Sequence, residues 1–111
     1  MIKMLTGYTI SRHLLEERGD RIAYIGMTMG FGEIQYKFRS ANKMGDRIEA
    51  ITNTGVIVVL SVNEKLIITM FPATIDKAAA LFREAGEDKI PYSLYNTIKK
   101  NQLKGYLKMC I

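Results

Sequence analysis

Between Asp46 and Thr74, DRIEAITNTGVIVVLSVNEKLIITMFPAT, the hydrophobic positions fall in short runs separated by two turns. Val56–Val62 and Leu66–Phe71 are runs of Val, Ile and Leu of ordinary strand length. Arg47–Thr52 precedes them. Asn53-Thr54-Gly55 separates the first pair, where Gly takes a positive φ without a Cβ clash. Asn63-Glu64 separates the second, as a short hairpin loop does. The stretch therefore predicts a meander of three adjacent antiparallel strands. Val56, Val58 and Leu60 alternate with Ile57 and Val59, so the central strand is apolar on both sides. Such a strand needs cover on both faces, from helices or from a second copy of the chain.

The flanks read as further elements. Met1–Gly7 carries no usable pattern. Thr9–Arg18 predicts a short helix, with Thr9 as cap, Ile10 and Leu14 on one side, Arg12/Glu16 and His13/Glu17 spaced as ion pairs, and Gly19 as terminator. Arg21–Thr28 reads as a strand, and GMTMGFG (26–32) as a mobile connection without the Lys-Ser/Thr of a phosphate loop. Glu33–Ser40 alternates, with Ile34, Tyr36 and Phe38 one way and Glu33, Gln35, Lys37 and Arg39 the other. A loop follows at Ser40–Gly45. Pro72 ends the last strand. Thr74 caps a helix whose stripe is Ala78, Leu81, Phe82 and Ala85, closed by Gly86. Pro91 starts a last helix with Leu94, Ile98 and Leu103 on its buried side. The fold class is α+β in one domain, 1–111: an N-terminal helix, an antiparallel sheet of four or five strands, and two C-terminal helices.

Composition narrows the function classes. The chain has 111 residues, 48% of them hydrophobic and 24% charged, which is the balance of a folded domain. No apolar run reaches the roughly 20 residues of a membrane helix. The start has no secretory h-region, and a single cysteine, Cys110, forms no internal disulfide, so a reducing cytoplasm is the expected compartment. Cys110, next to last, reads as incidental. One His and one Cys give no metal-ligand set, and no cofactor motif is present. The net charge is +5, and it is uneven. Lys89, Lys99, Lys100, Lys104 and Lys108 fall in a tail without any acid, together with Tyr92, Tyr95 and Tyr106. Lysines offer phosphate contacts and tyrosines offer stacking, so RNA or another nucleic acid is the expected partner. A solvated basic helix face accounts for the same residues.

Acid–base chemistry on an anion is the remaining catalytic option. His13 is the side chain whose ordinary pKa lies near neutral pH. Arg12, Lys37 and Arg39 are candidates to hold a phosphate, and Thr52, Thr69 or Thr74 to donate hydroxyl hydrogen bonds. Each has a plainer role as well: His13 paired with Glu17 on a helix surface, Thr74 as a cap, Lys37 and Arg39 on a solvent face.

SRHLLEERG, EIQYKFRS and ITNTGVIVVLSVNEKLIITMFPAT, spanning Ser11–Thr74, together resemble the barnase–EndoU–colicin–RelE superfamily of small metal-independent ribonucleases, in its phage and toxin-type members. The resemblance implies His13 as catalytic base or acid, Arg12 or Arg39 on the scissile phosphate, and Thr69 or Thr74 assisting. It also implies a protein inhibitor or antitoxin as partner. EndoU-type members carry a second His, which this chain lacks; Ile75 onward has no counterpart. The competing reading is a non-catalytic module of a phage or mobile element that binds nucleic acid or protein, as a homodimer packed through the sheet.

Overall fold

The computed structural model describes residues 3–5, 8–39, 47–61 and 63–107. The elements are β1 (Lys3–Leu5), β2 (Tyr8–Ile10), α1 (Arg12–Met27), β3 (Ile34–Arg39), β4 (Arg47–Thr52), β5 (Val56–Ser61), β6 (Leu66–Pro72), α2 (Ile75–Glu84) and α3 (Tyr92–Leu103). The loop expected at Ser40–Gly45, Val62, Lys108 and Cys110 lie outside the described residues.

The meander forms as its pattern requires. β3, β4, β5 and β6 pair antiparallel in order, with Ala50 opposite Val58 and Val58 opposite Met70. The sheet nevertheless has six strands in the order β1-β2-β6-β5-β4-β3, and it is mixed. β2 lies parallel to β6, with Ile10 opposite Ile67, and β1 pairs antiparallel with β2. The expectation of an all-antiparallel sheet is corrected by this N-terminal hairpin. Tyr8 and Ile10 are buried around a half-buried Thr9, a short alternating strand where a helix start was expected.

Helix α1 therefore begins later and ends later. Ser11, not Thr9, is its cap: the Leu14 N–H donates to Ser11 Oγ at 3.1 Å. The Arg21–Thr28 stretch, which reads as a strand, is the second half of the same helix. Arg18 interrupts it with φ −133° and ψ 28°, so the chain kinks where Gly19 was expected to end it. Leu14, Ile22 and Ile25 are buried together, and the Ile22/Ile25 spacing of three is helical. Local β-propensity yields here to tertiary packing.

Cover on both faces comes from the chain's own helices. One core joins α1 through Leu14, Ile22 and Ile25 to Val56, Val58, Leu60, Ile67 and Met70. The other joins α2 and α3 through Ala78, Phe82, Leu94 and Ile98 to Phe38, Ile51 and Ile57. A sheet-to-sheet dimer is not needed to bury either face. Strand β3 switches faces: the register slips between Ile34 and Tyr36, so Ile34 packs with the α1 core while Tyr36 and Phe38 pack with α2. Ile34, Tyr36 and Phe38 thus do not share one side. Tyr36 and Phe38 both meet the Phe82 ring edge-on, at centroid distances of 5.2 and 4.8 Å.

The 26–32 stretch is tied down rather than free. It docks on the Thr52–Gly55 turn: Thr54 Oγ1 donates to the Gly30 carbonyl at 2.9 Å, Asn53 N–H to the Glu33 carbonyl at 2.9 Å, and Glu33 N–H to Asn53 Oδ1 at 2.8 Å. The same turn receives α3, where Asn101 Nδ2 donates to the Thr54 carbonyl at 3.0 Å. Helix α2 is capped by Thr74, whose Oγ1 accepts from the Lys77 N–H at 3.1 Å. It closes at Gly86, where the Glu87 N–H reaches back to the Phe82 carbonyl at 2.9 Å. In α3, Pro91 is the cap residue, and Asn101 rather than Leu103 takes the third buried position; Leu103 is 87% exposed.

Candidate nucleic-acid interface

His13 and Arg12 sit on the first turn of α1, which packs over β6. Both point into solvent. The His13 side chain is 77% exposed, with Nε2 3.2 Å from Glu17 Oε2; the Arg12 side chain is 92% exposed, with Nε 3.4 Å from Glu16 Oε1. These are the plain i,i+4 pairs that the sequence spacing allows.

Lys37 is exposed on β3, opposite Ala50 and so on the face that carries α1. Arg39 holds the register position opposite Ile48. Between β2, which leads into His13, and β3 lie β6, β5 and β4. Four interstrand steps at ~4.8 Å put the two strands about 19 Å apart. Thr69 is half-buried on β6 opposite Val59, and by strand alternation it faces the α2/α3 layer with Phe71. Thr74 caps α2 on that same side, and Thr52 Oγ1 is occupied within its own turn by the Val56 N–H at 3.2 Å. The fold thus brings Arg12 and His13 together, but sets Lys37 across the sheet and Thr69 and Thr74 on the opposite face. Among the described residues no group of three or more His, Cys, Asp or Glu side chains is placed to hold a metal ion, and no helix is long and apolar enough to cross a membrane.

The basic tail is the feature the fold gathers. Leu94, Ile98 and Asn101 turn inward, which leaves Tyr92, Tyr95, Lys99 and Leu103 on the outward side at three- and four-residue spacing. Tyr92 is 80% exposed. Lys100 and Lys104 are exposed beside them. Lys99 Nζ lies 5.8 Å from the Tyr95 ring centroid, and Lys104 Nζ 5.7 Å from the Tyr106 ring centroid. Two lysine–tyrosine pairs, Lys99 with Tyr95 and Lys104 with Tyr106, are thus formed along α3 and just beyond it. Tyr92 to Leu107 carries no acid of its own, and the start of α2 brings Asp76 to the same cleft as Lys99. Lys108, expected to extend this surface, lies outside the described residues.

Beside this surface the start of α2 and the end of α3 enclose a cleft of about 550 Å³, with Thr74, Ile75 and Asp76 on one wall and Lys99, Gln102 and Leu107 on the other. Sequence reasoning found the Thr74 cap and the basic helix but not their meeting. The two walls are separated along the chain, and no local signal announces the packing. One carboxyl is electrostatically displaced: burial pushes Glu49 above the usual carboxylate range, and the charge of Glu84 adds to the effect. Glu49 lies on β4 opposite Phe38, under the end of α2.

No protein-family model, curated protein or solved structure matches this chain.

Proposed function

We propose that the protein is a non-catalytic RNA-binding module that holds a single strand against the outer side of α3. The observation that carries this reading is the grouping of exposed Lys99, Lys100 and Lys104 with Tyr92, Tyr95 and Tyr106 in one stretch that has no acid of its own. Lysines attract the phosphate backbone whatever its sequence, and exposed tyrosine rings receive unstacked bases. Exposed Leu103 and the half-buried Tyr106 supply apolar area beside the charges. A salt series of fluorescence-anisotropy titrations with a labelled single-stranded RNA tests the reading. Affinity should fall linearly on a log–log plot, and replacing Lys99, Lys100 and Lys104 with Gln should reduce the slope by ~0.7 per contacting lysine. An unchanged slope in the triple variant would move the contact elsewhere.

The second reading is a metal-independent endoribonuclease, and one observation favours it. His13 is open to solvent with Nε2 beside a carboxylate, an arrangement compatible with proton transfer. Its support is weaker, because Lys37 lies four strands away from His13 on the same face and Thr69 and Thr74 lie on the opposite face. This reading expects RNA cleavage in EDTA with 2′,3′-cyclic ends, slowed ~10²-fold or more by His13→Ala without loss of thermal stability. Intact RNA after incubation with clean protein would remove it.

A further inference from the structure

Beside the α3 surface, the cleft between α2 and α3 brings together apolar and hydrogen-bonding groups. Its volume of about 550 Å³ falls within the roughly 300–1,000 Å³ typical of small-ligand clefts. Ile75 and Leu107 give it apolar walls that suit an aromatic ring, and Asp76 and Gln102 give it hydrogen-bonding groups. Lys99 lines the cleft and also belongs to the outward side of α3. A strand with a phosphate held by Lys99 therefore passes the mouth of the cleft. Single-stranded RNA is commonly read in this way, with an unstacked base turned out and its edge hydrogen-bonded.

Asp76 decides which edge is favoured. An ionised carboxylate only accepts hydrogen bonds, so it suits a base edge that presents amine N–H groups, as in cytosine, adenine or guanine. Uracil presents one ring N–H between two carbonyl oxygens, which a carboxylate repels. The Gln102 amide both donates and accepts, and so complements either kind of edge. We propose that this cleft seats one unstacked base bearing an exocyclic amine, taken from the strand held along α3. The inference rests on the RNA-binding reading above and goes further, because the lysine and tyrosine surface by itself discriminates weakly between bases.

The test compares the affinities of oligocytidylate and oligouridylate of equal length for the full chain at fixed low salt. The unaltered protein should bind the cytidylate ~10-fold more tightly. Asp76 is exposed, so Asp76→Ala should fold normally. The variant should bring the ratio to about one while the dependence on salt persists. A ratio near one in the unaltered protein overturns the base-seating inference alone, as does an unchanged ratio in Asp76→Ala. If neither oligonucleotide binds, the RNA-binding reading falls and the inference falls with it.

Discussion

Gly55 shows most directly how single residues hold this molecule together. Its φ is +86°, and a Cβ there would lie 2.8 Å from Asn101 Nδ2. Gly55→Ala should therefore combine a left-handed backbone penalty of ~1–2 kcal/mol with displacement of the side chain that anchors α3. A loss of about 2 kcal/mol or more in urea unfolding is expected, and an unaltered midpoint would show that α3 does not depend on this contact. The need for glycine was legible in the Asn-Thr-Gly turn. Its second role, as the floor beneath Asn101, was not, because the partner lies far along the chain. Caps show the same division. Thr74 was readable from its position before an amphipathic run, whereas Ser11 took the role expected of Thr9 once Tyr8–Ile10 paired with β6.

Glu49 gives a pH signature at the same scale. Its folded-state pKa is raised by burial first and by Glu84 second. Below the unfolded value both states carry the proton, and there is no penalty. As pH rises from there toward the folded value, the unfolded chain ionises first, and the folded state loses stability. Glu49→Gln removes this loss. Its urea midpoint relative to the unaltered protein should therefore be higher near pH 7 than near pH 4. A difference independent of pH would contradict the burial of that carboxyl.

At the scale of elements, β5 is the member on which both layers rest. Val56, Val58 and Leu60 enter the α1 core, and Ile57 enters the α2/α3 core. Val58 is 1% exposed, so Val58→Asp buries a carboxylate in an apolar core. The cost of several kcal/mol is large beside an expected total of ~5–15 kcal/mol. The variant should lose its cooperative thermal transition, and a soluble protein with an ordinary melt would contradict the central place of β5. The meander was legible because its Val, Ile and Leu runs have strand length and its turns carry glycine and asparagine. Helix α1 was only half legible: Arg21–Ile25 is rich in strand formers, and the Ile22/Ile25 spacing that marks a helix is short. The parallel β2–β6 pair was not legible, since a three-residue strand carries almost no periodic signal and its partner is distant in sequence.

At the scale of the whole molecule, the sheet separates two surfaces. One carries α1 with Arg12 and His13; the other carries α2 and α3 with Thr74, the lysines and the tyrosines. The residues drawn together by the ribonuclease resemblance follow one another suitably in chain order, but chain order does not report faces. The slip in β3 and the added hairpin decide which residues meet. The basic surface was legible because it lies within one continuous stretch, Lys89 onward, whose inward side is marked by Leu94 and Ile98. The cleft beside it was not legible, since it requires the end of α3 to reach the start of α2.

If RNA lies along α3 as proposed, its contacts can be followed residue by residue, through the backbone amide shifts of isotopically labelled protein recorded by NMR as single-stranded RNA is added. The shifts should concentrate between Tyr92 and Lys104 and at Ile75 and Asp76, with little change at His13 and Lys37. Shifts centred on His13 and the first turn of α1, or no shifts at low salt, would contradict the proposal.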